Sequence, residues 1–151
     1  MKTITLTHSG SYTYTLSQAG SELAVIGRFW LKGQDQLDLH LTIIHAAPRT
    51  SATTSLKAVV AGRGVVNFNG TIIVKPGASQ TNSFLEERVL LLSEKARANA
   101  IPNLEIMSAD VKCSHAAAIG QIDADQLFYL MSRGLSRPRA THLLAQGFLD
   151  T

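Results

Sequence analysis

Residues 37–43, LDLHLTI, alternate between apolar and polar side chains at every position. Strict alternation of this kind is typical of a β-strand with one buried and one exposed face. Further segments rich in Val, Ile, Thr and Tyr surround it, separated by polar or glycine-containing breaks. The predicted strands are TITLTH (3–8), SYTYTL (11–16), LAVIGRFWL (23–31), LDLHLTII (37–44), LKAVVAG (56–62), GVVNFNGTIIVK (64–75), RVLLL (88–92) and LEIMS (104–108).

No amphipathic helix precedes residue 123, which excludes Rossmann-like and flavodoxin-like folds because these place helices between their strands. A β-sandwich, a barrel and a β-helix remain. Sharp breaks such as NFNG (67–70) and VKPGAS (74–79) suit the stacked coils of a β-helix. Periodicity alone does not exclude the sandwich.

A helical hairpin is predicted after Gly120. Asp123 can cap a first helix with Gln126 at the capping-box position, and Ser136 can cap a second helix that has Pro138 in its first turn. We therefore divide the chain into a β-helical core, 1–120, and a helical segment, 121–151. The apolar stripes are Leu127, Leu130 and Met131 in the first helix, and Ala140, Leu143, Leu144 and Phe148 in the second.

The composition is that of a globular domain of 151 residues, with 45% apolar and 17% charged residues. The net charge of +3 comes from scattered residues, which argues against a nucleic-acid partner. A single cysteine forms no internal disulfide, and neither a signal peptide nor a membrane span is visible. We expect a cytoplasmic protein.

The segment DVKCSHAAAIG (110–120) contains that cysteine, and a histidine follows two positions later. Cys113 and His115 project to the same face if the segment is a strand. Thiolate and imidazole are preferred ligands for zinc and iron–sulfur centres, but free cysteine also packs as a small apolar side chain. The pair supplies two ligands, whereas closed sites usually have four.

The other polar candidates have simpler interpretations. His40 lies in the phase opposite Leu39 and Leu41 and is predicted to face solvent, and His45 is predicted to be a surface or loop histidine at the strand end. The segment Glu86–Arg88 is predicted to be a solvated strand entry. The glycines of AGRG (61–64) are turn glycines, since no phosphate-loop motif is present.

Several segments together resemble the C-terminal half of the SufB/SufD family. They are IIHAAPRTSATTSLKAVVAGRGVVNFNG (43–70), FNGTIIVKPGASQT (68–81), LLLSEKARANAIPNLEI (90–106), ADVKCSHAAAIGQID (109–123) and LFYLMSRGL (127–135). The resemblance spans about residues 40–149 and is weaker before residue 40.

This resemblance implies a right-handed parallel β-helix and a non-enzymatic scaffold role in iron–sulfur cluster assembly. It also implies pairing of β-helical cores, with a SufB-like subunit or with a second copy, near residues 104–119. His115 occupies a position implicated in cluster formation at that interface, and Cys113 accompanies it. A SufC-like ATPase is expected on the C-terminal helices, with Tyr129, Arg133 and Phe148 as contact candidates.

The chain looks more similar to SufD than to SufB, because Ala96 stands where SufB relatives carry a cysteine. Two positions depart from the usual SufD pattern: Ala109 replaces an acidic residue and Ala116 a glycine. The chain is also shorter than typical members. The alternative hypothesis is a β-helical metal- or ligand-binding module that keeps the fold without the assembly role.

Overall fold

The computed structural model describes all 151 residues. Nine strands precede two helices along the chain. The elements are β1 (Lys2–Leu6), β2 (Gly10–Leu16), β3 (Glu22–Leu31), β4 (Gln36–His45), β5 (Ser51–Val60), β6 (Val65–Val74), β7 (Asn82–Leu91), β8 (Arg97–Ile106), β9 (Lys112–Gln121), α1 (Ala124–Ser132) and α2 (Arg137–Asp150).

The strands form two parallel sheets that face each other. Odd-numbered strands build a five-stranded sheet in the order β1-β3-β5-β7-β9, and even-numbered strands build a four-stranded sheet in the order β2-β4-β6-β8. Consecutive strands therefore alternate between the sheets, and each neighbour within a sheet belongs to the next coil. The predicted parallel β-helix is confirmed, and the sandwich is excluded.

The coils stack in register. Glu22 pairs with Ser51, Ser51 with Asn82, and Asn82 with Lys112, so each coil takes about 30 residues. The turns that lead into β3, β5, β7 and β9 stack as well. Each contains one residue with a positive φ, and these residues are Gly20, Arg49, Gln80 and Asp110.

Alternate side chains of each strand fill the space between the sheets. On β6, Val66, Phe68, Ile72 and Val74 are all buried, and the Phe68 ring packs against that of Phe29 with 6.1 Å between centroids. The predicted alternation of buried and exposed positions in residues 37–43 is confirmed. Exposed His40 lies on the outer face as predicted.

Three strands begin earlier than predicted. The first halves of β5 and β7 contain Ser, Thr or Asn, and β8 has Pro102 near its middle, which weakens a strand pattern. Proline is tolerated on β8 because this strand is the last of its sheet. Arg97 and Met107 donate to the β6 side, so by alternation the nitrogen of Pro102 faces the free edge.

The helices have the predicted caps. The Asp123 carboxylate accepts from the backbone amides of Asp125 and Gln126, and the Ser136 hydroxyl accepts from the amide of Arg139. Gly134 ends the first helix region with a φ of 96°. Neither helix combines the length and the apolar character needed to cross a lipid bilayer.

Helix α2 lies on the outer face of the five-stranded sheet. Its buried residues are Ala140, Ala145 and Leu149, and the last two pack against Val59. The predicted apolar face was wrong for Leu143, which is 52% exposed. The packed stripe is rotated relative to that prediction because small Ala140 and Ala145 allow the helix to approach the sheet closely.

Candidate functional site

Strand β9 carries Cys113 and His115 at the last position of its sheet, where it pairs only with β7. Cys113 is in register with Ser83, and His115 with Leu85. Both β7 residues point into the core, with exposed fractions of 2% and 1%. The structure thus places Cys113 and His115 on one face of β9, the face that continues the core.

Cys113 is half-buried against an apolar cluster that includes Ile72, Val74 and Leu85. Burial raises the pKa of the Cys113 thiol, and a hydrogen bond with the backbone of Ser83 opposes this only in part. Lys112 projects to the other face of the strand, and desolvation dominates the pKa of the Cys113 thiol. In the isolated chain, Cys113 is therefore a protonated, packed thiol.

His115 is exposed, although Leu85, the residue in register with it on β7, is buried in the core. No further coil covers β9, and neither ring nitrogen of His115 forms a hydrogen bond within the chain. Its imidazole is available to an external ligand. The two side chains thus differ: one is a packed thiol and the other a free imidazole.

Nowhere in the chain do three or more His, Cys, Asp or Glu side chains lie close enough together to hold a metal ion. The Cys113–His115 pair accordingly provides two ligands and no more. Ala96, at the position where SufB relatives carry a cysteine, is 2% exposed and packs in the main core.

The surface around the pair is the open end of the β-helix. Ile106, Met107 and Ile119 are each about half exposed there, at 44%, 52% and 46%. The amide of Lys112 donates to Thr81, so by alternation the amides of residues 113, 115, 117 and 119 face the free edge without partners. Strand β9 therefore has an open edge, whereas Pro102 interrupts the edge of β8.

The three ATPase-contact candidates lie in two environments. Tyr129 is 55% exposed on α1 beside Phe128 at 74%, and the Arg133 guanidinium stacks 5.2 Å from the Tyr129 ring. Phe148 is half-buried instead, with Lys57 at 5.6 Å and Arg88 at 5.5 Å from its ring. Tyr129 and Arg133 are accessible to a partner, whereas Phe148 attaches α2 to the sheet.

A column of cations holds the C-terminal end of α2. Arg28, Lys57 and Arg88 are in register on adjacent strands. Arg28 Nε donates to the carbonyl of Leu149 at 2.8 Å, and Lys57 Nζ to that of Phe148 at 3.3 Å. Positive charge at a helix C-terminus is favourable because the last carbonyls carry partial negative charge.

His45 is fully buried, so its prediction as a surface or loop histidine was wrong. Its Nδ1 lies 2.8 Å from Thr50 Oγ1 and its Nε2 lies 3.0 Å from Ser83 Oγ. Burial lowers the pKa of His45 to about 4, so the imidazole is neutral. The signal was present in the sequence, because His45 continues the buried phase of Leu41 and Ile43.

Glu87 is also fully buried, and the prediction of a solvated strand entry was wrong for this residue. Neither carboxyl oxygen has a hydrogen-bond partner. Burial raises the pKa of Glu87 to about 7, against a smaller opposing influence of the Gly70 backbone. The polar start of β7 lacks a clear strand pattern, so the sequence does not show that Glu87 lies in the buried phase.

Comparison with known proteins identifies one family. The model described as "SUF system FeS cluster assembly, SufBD core domain" matches residues 6–148. A SufBD family protein of Synechocystis is 41% identical over 78% of this chain, and SufD and SufB of Bacillus subtilis are 38% and 34% identical over 85% and 79%. The matched regions make up 26%, 29% and 25% of those relatives, so the chain spans about a quarter of their length.

Proposed function

Because the chain belongs to the SufB/SufD family of iron–sulfur cluster assembly proteins, we propose that it is a SufD-like scaffold subunit. It holds a nascent cluster as cargo, together with a partner chain, and it catalyses no reaction itself. The observation that carries this proposal is the placement of Cys113 and His115 on one face of the last strand, at the open end of the β-helix.

The chemistry of the two side chains suits this cargo. Thiolate and imidazole both ligate iron in clusters. The raised pKa of Cys113 means that the thiol loses its proton only when a metal binds, whereas His115 already presents a free imidazole. His115 is therefore the first ligand to engage, and Cys113 follows or remains packed.

The missing ligands come from a partner chain that covers the open end, either a SufB-like subunit or a second copy. The open edge of β9 and the exposed side chains of Ile106, Met107 and Ile119 support pairing at this position. Two copies related by a two-fold axis near β9 would bring together four N and S ligands, which is the number that a [2Fe–2S] or zinc site requires. A SufB-like partner would supply the cysteine that Ala96 replaces here.

A SufC-like ATPase docks on α1. The support is the exposed aromatic pair Phe128 and Tyr129, with Arg133 beside it, on a helix that has no buried residue. We expect Tyr129→Glu with Arg133→Glu to abolish co-purification with the ATPase while the circular dichroism spectrum is unchanged. Retained binding of a folded double variant contradicts this part of the proposal.

Anaerobic reconstitution with iron and sulfide, followed by visible absorption, tests the scaffold role. We expect charge-transfer absorption when the chain is mixed with its SufB-like partner or when it is dimeric, and little absorption from monomer. Full absorption from the monomeric chain would favour the stand-alone metal-binding module. No absorption in any combination contradicts the proposal.

Two isoleucines of similar exposure test the pairing surface. Ile119 lies on the open face of β9, whereas Ile101, 53% exposed, projects from the outer face of the four-stranded sheet. We expect Ile119→Asp to abolish association in light scattering and Ile101→Asp to leave it intact. Equal effects of the two substitutions, or none from either, would rule out pairing at the open end.

A further inference from the structure

The buried carboxyl group of Glu87 has no role in the scaffold function proposed above. It lies on the inward face of β7, is fully buried, and has no hydrogen-bond partner at either oxygen. A Cβ atom added to Gly70, on the facing sheet, would lie 2.6 Å from Glu87 Oε1. The carboxyl group and the Leu85 side chain together thus occupy the space that a side chain at residue 70 would otherwise fill.

The groups around Glu87 offer no charge to stabilise a carboxylate. In register with it are Leu56 on β5 and Ala117 on β9, and Gly70 faces it from β6. Pro102, which pairs with Gly70, is the corresponding residue of β8. An ionised, unpaired carboxylate in such a setting is strongly unfavourable.

The neighbouring titratable groups face elsewhere. Glu86 and Arg88 flank it on β7 but project to the outer face, where Ser55 Oγ donates to Glu86 at 3.3 Å. Lys57 on β5 also projects outward, towards α2. On β9 the nearest titratable group on the core face is His115, two positions before Ala117 and exposed.

Glu87 is covered by several coils towards the N-terminal end of the β-helix and by fewer towards the C-terminal end. Towards the N-terminal end, the coil of β5 and β6 is itself buried by further coils. Towards the C-terminal end, β9 is the only strand that follows β7 in the same sheet, and β9 is largely exposed. In a stacked array the terminal unit opens at the lowest free-energy cost.

We propose that Glu87 couples the attachment of β9 to pH: the carboxyl is neutral while β9 covers it, and loss of its proton favours opening of β9 away from β7. Opening lets water reach the carboxylate at the smallest structural cost. Because β9 carries Cys113 and His115, proton loss at Glu87 also alters the open end of the β-helix. The proposal does not depend on cluster binding.

Hydrogen exchange of the β9 amides tests this device. The amides of Ser114, Ala116 and Ala118 face β7, by alternation from Lys112. Their exchange therefore reports the opening of β9. With a pKa of about 7 when covered and an ordinary value of 4.5 when open, the opening constant should rise roughly 70-fold between pH 5 and pH 8. Exchange rates are first corrected for the intrinsic pH dependence of unstructured peptides.

Glu87→Gln keeps the shape of the side chain and removes the titratable carboxyl group, so the corrected protection of the β9 amides should become independent of pH. Glu87→Leu is the second variant, in case the amide is not tolerated in the core, and the same result is expected. Glu86→Gln is the matched control on the outer face and should retain the wild-type pH dependence.

Two results would overturn the proposal. The first is a corrected protection of the β9 amides that varies with pH by the same factor in wild type and in the Glu87 variants. The second is a protection of the β9 amides as high as that of the β3 and β4 amides across this pH range, because β9 would then open only when the whole chain unfolds.

Discussion

The middle and last coils of the β-helix have the same strand pattern and different surroundings. On β7, Leu85 and Val89 point into a core closed by the next coil and are 1% and 2% exposed. Their partners on β9 are His115 and Ile119, which have the same phase and are exposed. An identical local structure is core in one coil and an exposed surface in the next, because a solenoid buries its inward residues only where another coil stacks on it.

The largest expected difference between the two coils is in packing. Phe68→Ala in a middle coil should lower the free energy of unfolding by about 3–5 kcal/mol, because the ring is 1% exposed and packs against Phe29. Ile119→Ala in the last coil should cost less than about 1 kcal/mol, because half of its surface is already in water. Urea denaturation of both variants measures this, and equal losses would contradict the comparison.

The second prediction concerns the change in folding stability at acidic pH. The pKa of His45 is about 4 in the folded chain against an ordinary 6.5, so unfolding takes up a proton between these values and stability falls as pH falls through this range. The raised pKa of Glu87 has the opposite effect between pH 4.5 and 7 and masks this loss in the wild type.

A Glu87→Gln background removes the masking effect. There we expect the free energy of unfolding to fall by about 3 kcal/mol from pH 7 to pH 4, since burial lowers the pKa of His45 from 6.5 to about 4. Adding His45→Gln should remove most of this slope, although it also disturbs the bonds to Thr50 and Ser83. Denaturant midpoints at several pH values provide the test, and an unchanged slope would show that His45 is not the group responsible.

A smaller effect is expected where the hairpin joins the sheet. Leu149→Ala should weaken attachment of α2 by about 2 kcal/mol, whereas Leu143→Ala on the exposed side should have almost no effect. Trp30, the only tryptophan, stacks on His142 at 5.0 Å and serves as the reporter. Detachment should shift its fluorescence to longer wavelength in the Leu149 variant alone, and a shift in both variants would contradict this account of the packing.

The sequence predicted most of the strands, both helix caps and the shared strand face of Cys113 and His115, because alternation and capping are local signals. The burial of Glu87 and His45 was missed for different reasons. Glu87 follows a polar strand start that obscures the alternation, whereas His45 continues the buried phase of Leu41 and Ile43 but is a polar residue at a strand end, which is typical of a loop. The exposure of β9 has no local signal at all, since it depends on the absence of a stacked coil.

The most direct test of the central claim is the iron content of complexes purified anaerobically with the partner proteins. His115→Ala should lose most of its iron, with a change in stability below about 0.5 kcal/mol because the side chain is exposed. Cys113→Ser should have an equal or smaller effect, and Ser114→Ala, on the opposite face of β9, should match wild type. Full iron occupancy in His115→Ala, or an equal loss in Ser114→Ala, would show that the open face of β9 is not the cluster site.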